Sequence, residues 1–439
     1  EHIVKTYPFA RDVSLVWKFI PNNRDTTDPI VLSLREHIMA KVMVPGGMSN
    51  PKYRAPNTNG ISKWSPGKKG KTPEQKYTDF VDSTMRYMCS SMRVLSGVVE
   101  VWMCKKNWGG IDPSKVSSGA AHKHRLAFLN EKVGEMLDHY HQESGNRSTD
   151  CARIALRKKT LSAAMEGKLH GANLDSMKFT DSVWNRIGSI SPAEKEMIHA
   201  QFMDLVKSHR DAAMEAYENA MQEWIANGSD QIPQPTNPLN VINTVDVSGS
   251  MGREMGYAVV NGLICAALSN LGRVIITFDT NPRLIHLQGD NVVDWMAQVK
   301  AAPWGGSTNM DKAFNLLLQV MKDVDKRMCG FDGKIIHIVH TDGQFNPHFA
   351  GFGPNNASTS YGYASYYGSS GSDDYSKEWN PFVDRMKKRC AESGFALPLT
   401  AFWNYRSNTK GFPAHGKYEG VVPSELSRYA ASRPDWIGS

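Results

Sequence analysis

The chain has 439 residues, of which 41% are hydrophobic and 22% charged; that is ordinary globular composition, long enough for two or three domains and for a core that needs no disulfide staples. A net charge of +7 permits nucleic acid or an acidic protein as partner and demands neither. The six cysteines are scattered without a C-x-x-C pair, which argues against a zinc ribbon and fits a reducing compartment. No apolar run approaches the roughly 18 residues of a membrane-spanning helix.

No signal peptide opens the chain, so an intracellular, cytoplasmic location is expected, or a virion if the chain is viral. The chain begins at Glu1 rather than Met, as a fragment of a longer product would.

Residues 1–76 read as an irregular basic arm. The stretch 44–76 is rich in Pro, Gly, Asn and Lys, and its charge is interleaved with Tyr53 and Trp64. Lys68, Lys69 and Lys71 are candidates for contact with a nucleic acid backbone. "GKKGKT" (67–72) ends like a phosphate-binding loop. However, the glycine required five residues before Gly70 is Ser65, and no strand precedes it, so nucleotide binding is rejected there.

Residues 77–227 carry helical spacing over 77–103, 118–144, 150–167 and 191–227. In the last segment Ser191 reads as an N-cap, Pro192 as the first helical residue and Glu194 as the partner in a capping box. Arg153, Arg157, Lys158 and Lys159 form a basic helical patch, a candidate for phosphate contact. His122, His124, His139 and His141 lack zinc spacing and read as surface or RNA-facing residues.

The stretch 228–240 holds three prolines and reads as a linker. From 241 onward strands (241–247, 273–278, 282–287, 333–342, 396–403) alternate with helices (252–271, 311–324, 375–393). Such alternation means a doubly wound, mostly parallel, Rossmann-like α/β sheet covered on both faces, with ligands beyond the carboxyl ends of its strands. The class expected for the whole chain is therefore α + α/β, a helical module followed by an α/β domain over 241–439. A Gly/Ser/Tyr-rich loop (352–376) reads as an insertion near the ligand-binding face.

"NTVDVSGSMG" (243–252) places Asp246, Ser248 and Ser250 at alternate positions after the first strand, where side chains of an extended stretch point the same way. Thr308, in "WGGSTNMDKAF" (304–314), and Asp342, in "HTDGQF" (340–345), supply two more oxygens near strand or helix ends. Two carboxylates and three hydroxyls, with no imidazole or thiolate, suit Mg2+ or Mn2+. No base stands beside the serines to make them nucleophiles.

D-x-S-x-S with a distal Thr and a distal T-D resembles the metal-ion-dependent adhesion site of von Willebrand factor A domains; Asp246, Ser248, Ser250, Thr308 and Asp342 match it one for one. Together with "IDPSKVSSGAAHKHRLAF" (111–128), "WGGSTNMDKAFNLLL" (304–318), "TDGQFN" (341–346) and "FWN" (402–404), the chain over roughly 77–439 looks like the family of unknown function 2828 of plants, fungi and large DNA viruses, itself similar to TROVE proteins of the Ro autoantigen type.

The resemblance implies a TROVE-like helical module, a von Willebrand A-type domain and a non-enzymatic, metal-dependent ribonucleoprotein scaffold. In that reading the helical part contacts RNA, and a protein partner docks an acidic side chain at the ion. The alternative is a structural or assembly protein of a large complex or virus particle. A metal-dependent hydrolase is the weakest reading.

Overall fold

The computed structural model describes residues 98–131, 147–227, 234–279, 281–304, 310–328, 334–342, 376–405, 421 and 422. The basic arm with Lys68, Lys69 and Lys71 lies outside them, as do His139, His141, Thr308 and residues 352–375 of the Gly/Ser/Tyr-rich loop. The chain divides into two compact units, Glu1–Ile111 and Asp112–Ser439.

In the first unit, helix α1 (Val99–Cys104) is followed by a 3-10 turn, Trp108–Gly110. Asn107 caps the turn by accepting from the Gly110 amide at 3.3 Å.

The second unit opens with two short helices, α2 (Ser118–Lys123) and α3 (Arg125–Phe128), where the sequence reading had one long helix over 118–144. The break has a local cause. The Arg125 guanidinium turns back to the His122 carbonyl (2.9 Å), and Asn130 takes a left-handed conformation, φ 55°, which asparagine tolerates.

Helix α4 (Cys151–Met165) is capped by Asp150 and α5 (Ser176–Val183) by Asp175; each carboxylate accepts from the amide two residues on. Helix α6 (Pro192–Ala226) starts as expected: the Ser191 hydroxyl accepts from the Glu194 amide at 3.1 Å. The Glu194 side chain does not complete a capping box. It is buried and takes Arg125 Nε at 2.6 Å and Arg186 Nη1 at 3.1 Å, because two guanidiniums in a dry site outbid one amide.

Strands β1 (Val241–Asp246), β2 (Val274–Phe278), β3 (Arg283–His286), β4 (Ile336–Thr341), β5 (Leu399–Asn404) and β6 (Val421–Val422) form one sheet in the order β3-β2-β1-β4-β5-β6. All pairings are parallel except β2–β3. The sheet is thus mixed and mostly parallel, as the alternation predicts.

Helices α7 (Met255–Leu268) and α8 (Val292–Lys300) cover one face, and α9 (Met310–Arg327) and α10 (Ser376–Glu392) the other. Helix α7 is apolar all round because it is buried all round. It lies between the sheet and the earlier helices, so Phe179, Phe202 and Leu205 share one core with Val245, Leu263 and Trp295. Helix α8 escaped the sequence reading, although Asn291 as cap and Val292, Trp295, Met296 and Val299 at helical spacing carried its signal.

Beta-strand order also fixes where a ligand belongs. From β1 the chain runs through α7 to β2 on one side, and β4 lies on the other side of β1. The winding reverses between β1 and β4, and a crevice opens beyond their carboxyl ends at such a point.

Candidate functional site at the carboxyl ends of the first and fourth strands

Asp246 is the last residue of β1, and Asp342 directly follows β4. Both flank the reversal point, and both are fully buried, at 0% exposure. Beyond Asp246 the backbone stays extended through Val247, whose amide bonds the Phe278 carbonyl (3.3 Å), and Ser248 (φ −68°, ψ 160°). A 3-10 turn, Gly249–Glu254, then leads into α7. Gly252 takes φ +50° in that turn, a conformation glycine adopts without cost.

Asp246 and Ser248 therefore present their side chains as alternation predicts. Ser250 reaches the same place differently, from the 3-10 turn, and its hydroxyl lies 2.9 Å from that of Ser248. Both Asp246 oxygens are held. Oδ1 accepts from the Ser248 amide (2.9 Å), and Oδ2 accepts from the Thr341 hydroxyl (2.8 Å).

Burial raises the Asp246 carboxyl to about 6. The hydrogen bonds from Ser248 and Thr341 pull it down, and the negative charge of Asp342 adds a smaller upward push. Asp246, Ser248 and Ser250 thus converge, and Asp342 is close enough for Asp246 to feel its charge. Thr308 lies outside the described residues.

Two tryptophans border the same end of the sheet. Trp304, at the end of the segment that follows α8, stacks on Trp184 with ring centroids 5.4 Å apart. Trp184 also lies against Gly256 in the first turn of α7, where an added Cβ would run into Thr180 and Trp184. Lys300 donates to the Trp184 carbonyl at 2.6 Å. The helices before the sheet thereby brace the start of α7.

The basic patch on α4 is split. Arg157 donates to the Leu129 carbonyl (2.9 Å) and pairs with Glu131 (3.3 Å), and Arg153 donates to the Ala127 carbonyl. Lys158 and Lys159 are exposed.

His122 is a correction to the sequence reading, which had it on the surface. It is buried, with Nδ1 3.3 Å from Gln201 Oε1, Nε2 2.7 Å from Ser182 Oγ, and its ring edge-on to Phe179. Burial, then the neighbouring Arg125 charge, lowers it to about 4. A lone histidine on a mostly polar short helix carries no sequence signal of this; only the fold of α2 onto α5 and α6 decides it.

Thr341 was also missed as a separate participant. Its signal is a hydroxyl-bearing residue at the last position of a buried strand beside β1.

Residues 240–425 match a family model described as a domain of unknown function, DUF7788. Over 188 residues the chain is 31% identical to the uncharacterized protein L728 of Acanthamoeba polyphaga mimivirus. That match takes in 42% of this chain and 28% of the mimivirus protein's length. The family match covers the sheet that carries Asp246 and Asp342.

Proposed function

We propose that the chain is a non-enzymatic binding protein that holds Mg2+ or Mn2+ at the β1–β4 crevice and docks an acidic side chain of a protein partner there. The convergence of Asp246, Ser248 and Ser250 carries this reading, with the Ser248 and Ser250 hydroxyls 2.9 Å apart beside a buried carboxylate. The candidate donors are two buried carboxylates, Asp246 and Asp342, and the hydroxyls of Ser248 and Ser250. An oxygen-only set of low charge fits a hard cation with open coordination positions.

Asp246, Ser248, Ser250 and Asp342 would hold the ion, with Thr308 as the fifth residue of the sequence pattern. When bound, the ion supplies a positive charge that a partner's carboxylate can complete. The protein's own contribution is to keep Asp246 oriented and to exclude water beneath it. The pattern and the sheet order together support a von Willebrand A-type domain.

RNA contact through the helical part is the less favoured component. Arg153 and Arg157 bond the protein itself, whereas Lys158 and Lys159 on that helix are exposed. Among the described residues no helix is long and apolar enough to cross a membrane.

The test is purification of the native complex with and without a chelator, using wild type and the double variant S248A/S250A. A protein partner released by EDTA and absent from the double variant is expected. A partner retained in EDTA and by the double variant overturns the docking role. Recovery of RNA with a steep salt dependence, lost in K158E/K159E, would restore the RNA reading.

A further inference from the structure

We propose that Thr341 is the positioning residue of the ion site: its hydroxyl sets the orientation of the Asp246 carboxylate from the neighbouring strand. The inference rests on the ion-site reading above and gives a role to the threonine of the T-D pair, which is not one of the five candidate ligands.

The sheet puts the two side chains together. Strands β1 and β4 are parallel neighbours with Val245 opposite His340, so Asp246 and Thr341 are next in line. Side chains alternate along a strand, which places Thr244 and Asp246 on the face that also carries His337, Val339 and Thr341. Adjacent strands lie about 4.8 Å apart, a gap that one hydroxyl bridges. The observed Oγ1–Oδ2 distance is 2.8 Å, and both residues are fully buried, so water does not compete. An ionised carboxylate only accepts, so the threonine donates.

The other oxygen is tied by the Ser248 amide at 2.9 Å. The terminal torsion of an aspartate is otherwise soft and roughly two-fold. Two donors, one from its own strand's exit and one from β4, fix it and leave further lone pairs on both oxygens for a ligand. Thr341 is itself held by β5: its carbonyl accepts from the Tyr405 amide at 2.9 Å, in register with Asn404. The hydroxyl's position is therefore set by the sheet on both sides. Valine fits the same strand position and shape but has no donor, which makes the idea directly testable.

The experiment measures Mn2+ binding to the full chain by electron paramagnetic resonance of free Mn2+, with folding checked by circular dichroism. It compares wild type, Thr341→Val, Thr341→Ser, Thr341→Ala, Thr244→Val and Asp246→Ala. Thr244 is the control: it is a buried threonine on the same face, bonded to His337 Nε2 at 2.7 Å and not to the site.

The wild type and Thr244→Val should bind alike, Asp246→Ala should lose the ion, and Thr341→Val should weaken it about 10–100-fold, as loss of an outer-shell partner does. Thr341→Ser should restore binding, because serine returns the donor. If Thr341→Val does not fold, the contrast between Thr341→Ala and Thr341→Ser carries the same comparison. Thr341→Val (or Ala) binding like wild type, or Ser as weak as Val, overturns the proposal while the ion-site reading stands. No Mn2+ bound by the wild type, or Asp246→Ala binding as well as wild type, overturns the ion-site reading and this inference with it.

Discussion

Replacing Asp246 by asparagine in ion-free buffer should make the protein more stable at neutral pH, and the size of the gain follows from the burial of this carboxylate. Burial, against opposing hydrogen bonds, lifts its folded-state value to about 6, from the ordinary aspartate value of about 3.9. A raised acid is one whose charged form the fold disfavours. Its contribution is neutral below the unfolded value and becomes a loss of stability as pH rises from about 4 to about 6. The shift of roughly two units corresponds to about 3 kcal/mol at pH 7.5, at 1.36 kcal/mol per unit.

Asparagine keeps the shape and the acceptor for the Ser248 amide, and the Thr341 hydroxyl can either donate or accept. The variant therefore removes the charge with little else. Urea unfolding in EDTA should show Asp246→Asn more stable than wild type at pH 7.5 by up to about 3 kcal/mol, with the two converging near pH 4. Added Mg2+ should then stabilise wild type and not the variant, in line with ligand binding to the folded state alone. Equal stability of the two proteins in EDTA at pH 7.5, or equal stabilisation of both by Mg2+, would refute the reasoning.

Two further outcomes are expected. Burial holds His337 near 3 and, with a further push from the His337 charge, His340 near 3 as well; their contribution is nil above about 6.5, where both states are neutral, and becomes a loss of stability as pH falls from there toward 3. Urea titrations in the Asp246→Asn background, which lacks the opposing carboxylate, should show stability dropping steadily from pH 6.5 to 4, and a flat profile there would count against neutral burial. Gly262→Ala should destabilise by about 1–2 kcal/mol, since the new Cβ would sit 2.6 Å from Val245 Cγ2 and 2.9 Å from Asn243 Oδ1, and overpacking outweighs the roughly 1 kcal/mol gain in helix propensity. A thermal melt equal to or above wild type would show that α7 can move off β1 freely.

The sequence alone determined the grammar of the α/β part. Alternation of apolar runs with amphipathic segments placed β1, β2, β4 and β5 within a few residues of where they lie, because strand and helix periodicities are local properties. It also put Asp246, Ser248 and Ser250 at the exit of β1, since D-x-S-x-S spans five residues and needs no distant contact to be read.

Tertiary structure decided whatever depends on residues far apart in the chain. That β4 rather than β2 supplies the far wall of the crevice follows from strand order, which no local pattern encodes. Thr341 meets Asp246 across 95 positions of sequence, and Arg157 meets Glu131 across 26, so a hydroxyl became a brace and a basic residue turned inward. His122 was drawn into the core by Gln201 on α6, where burial with satisfied hydrogen bonds outweighed its intrinsic preference for water.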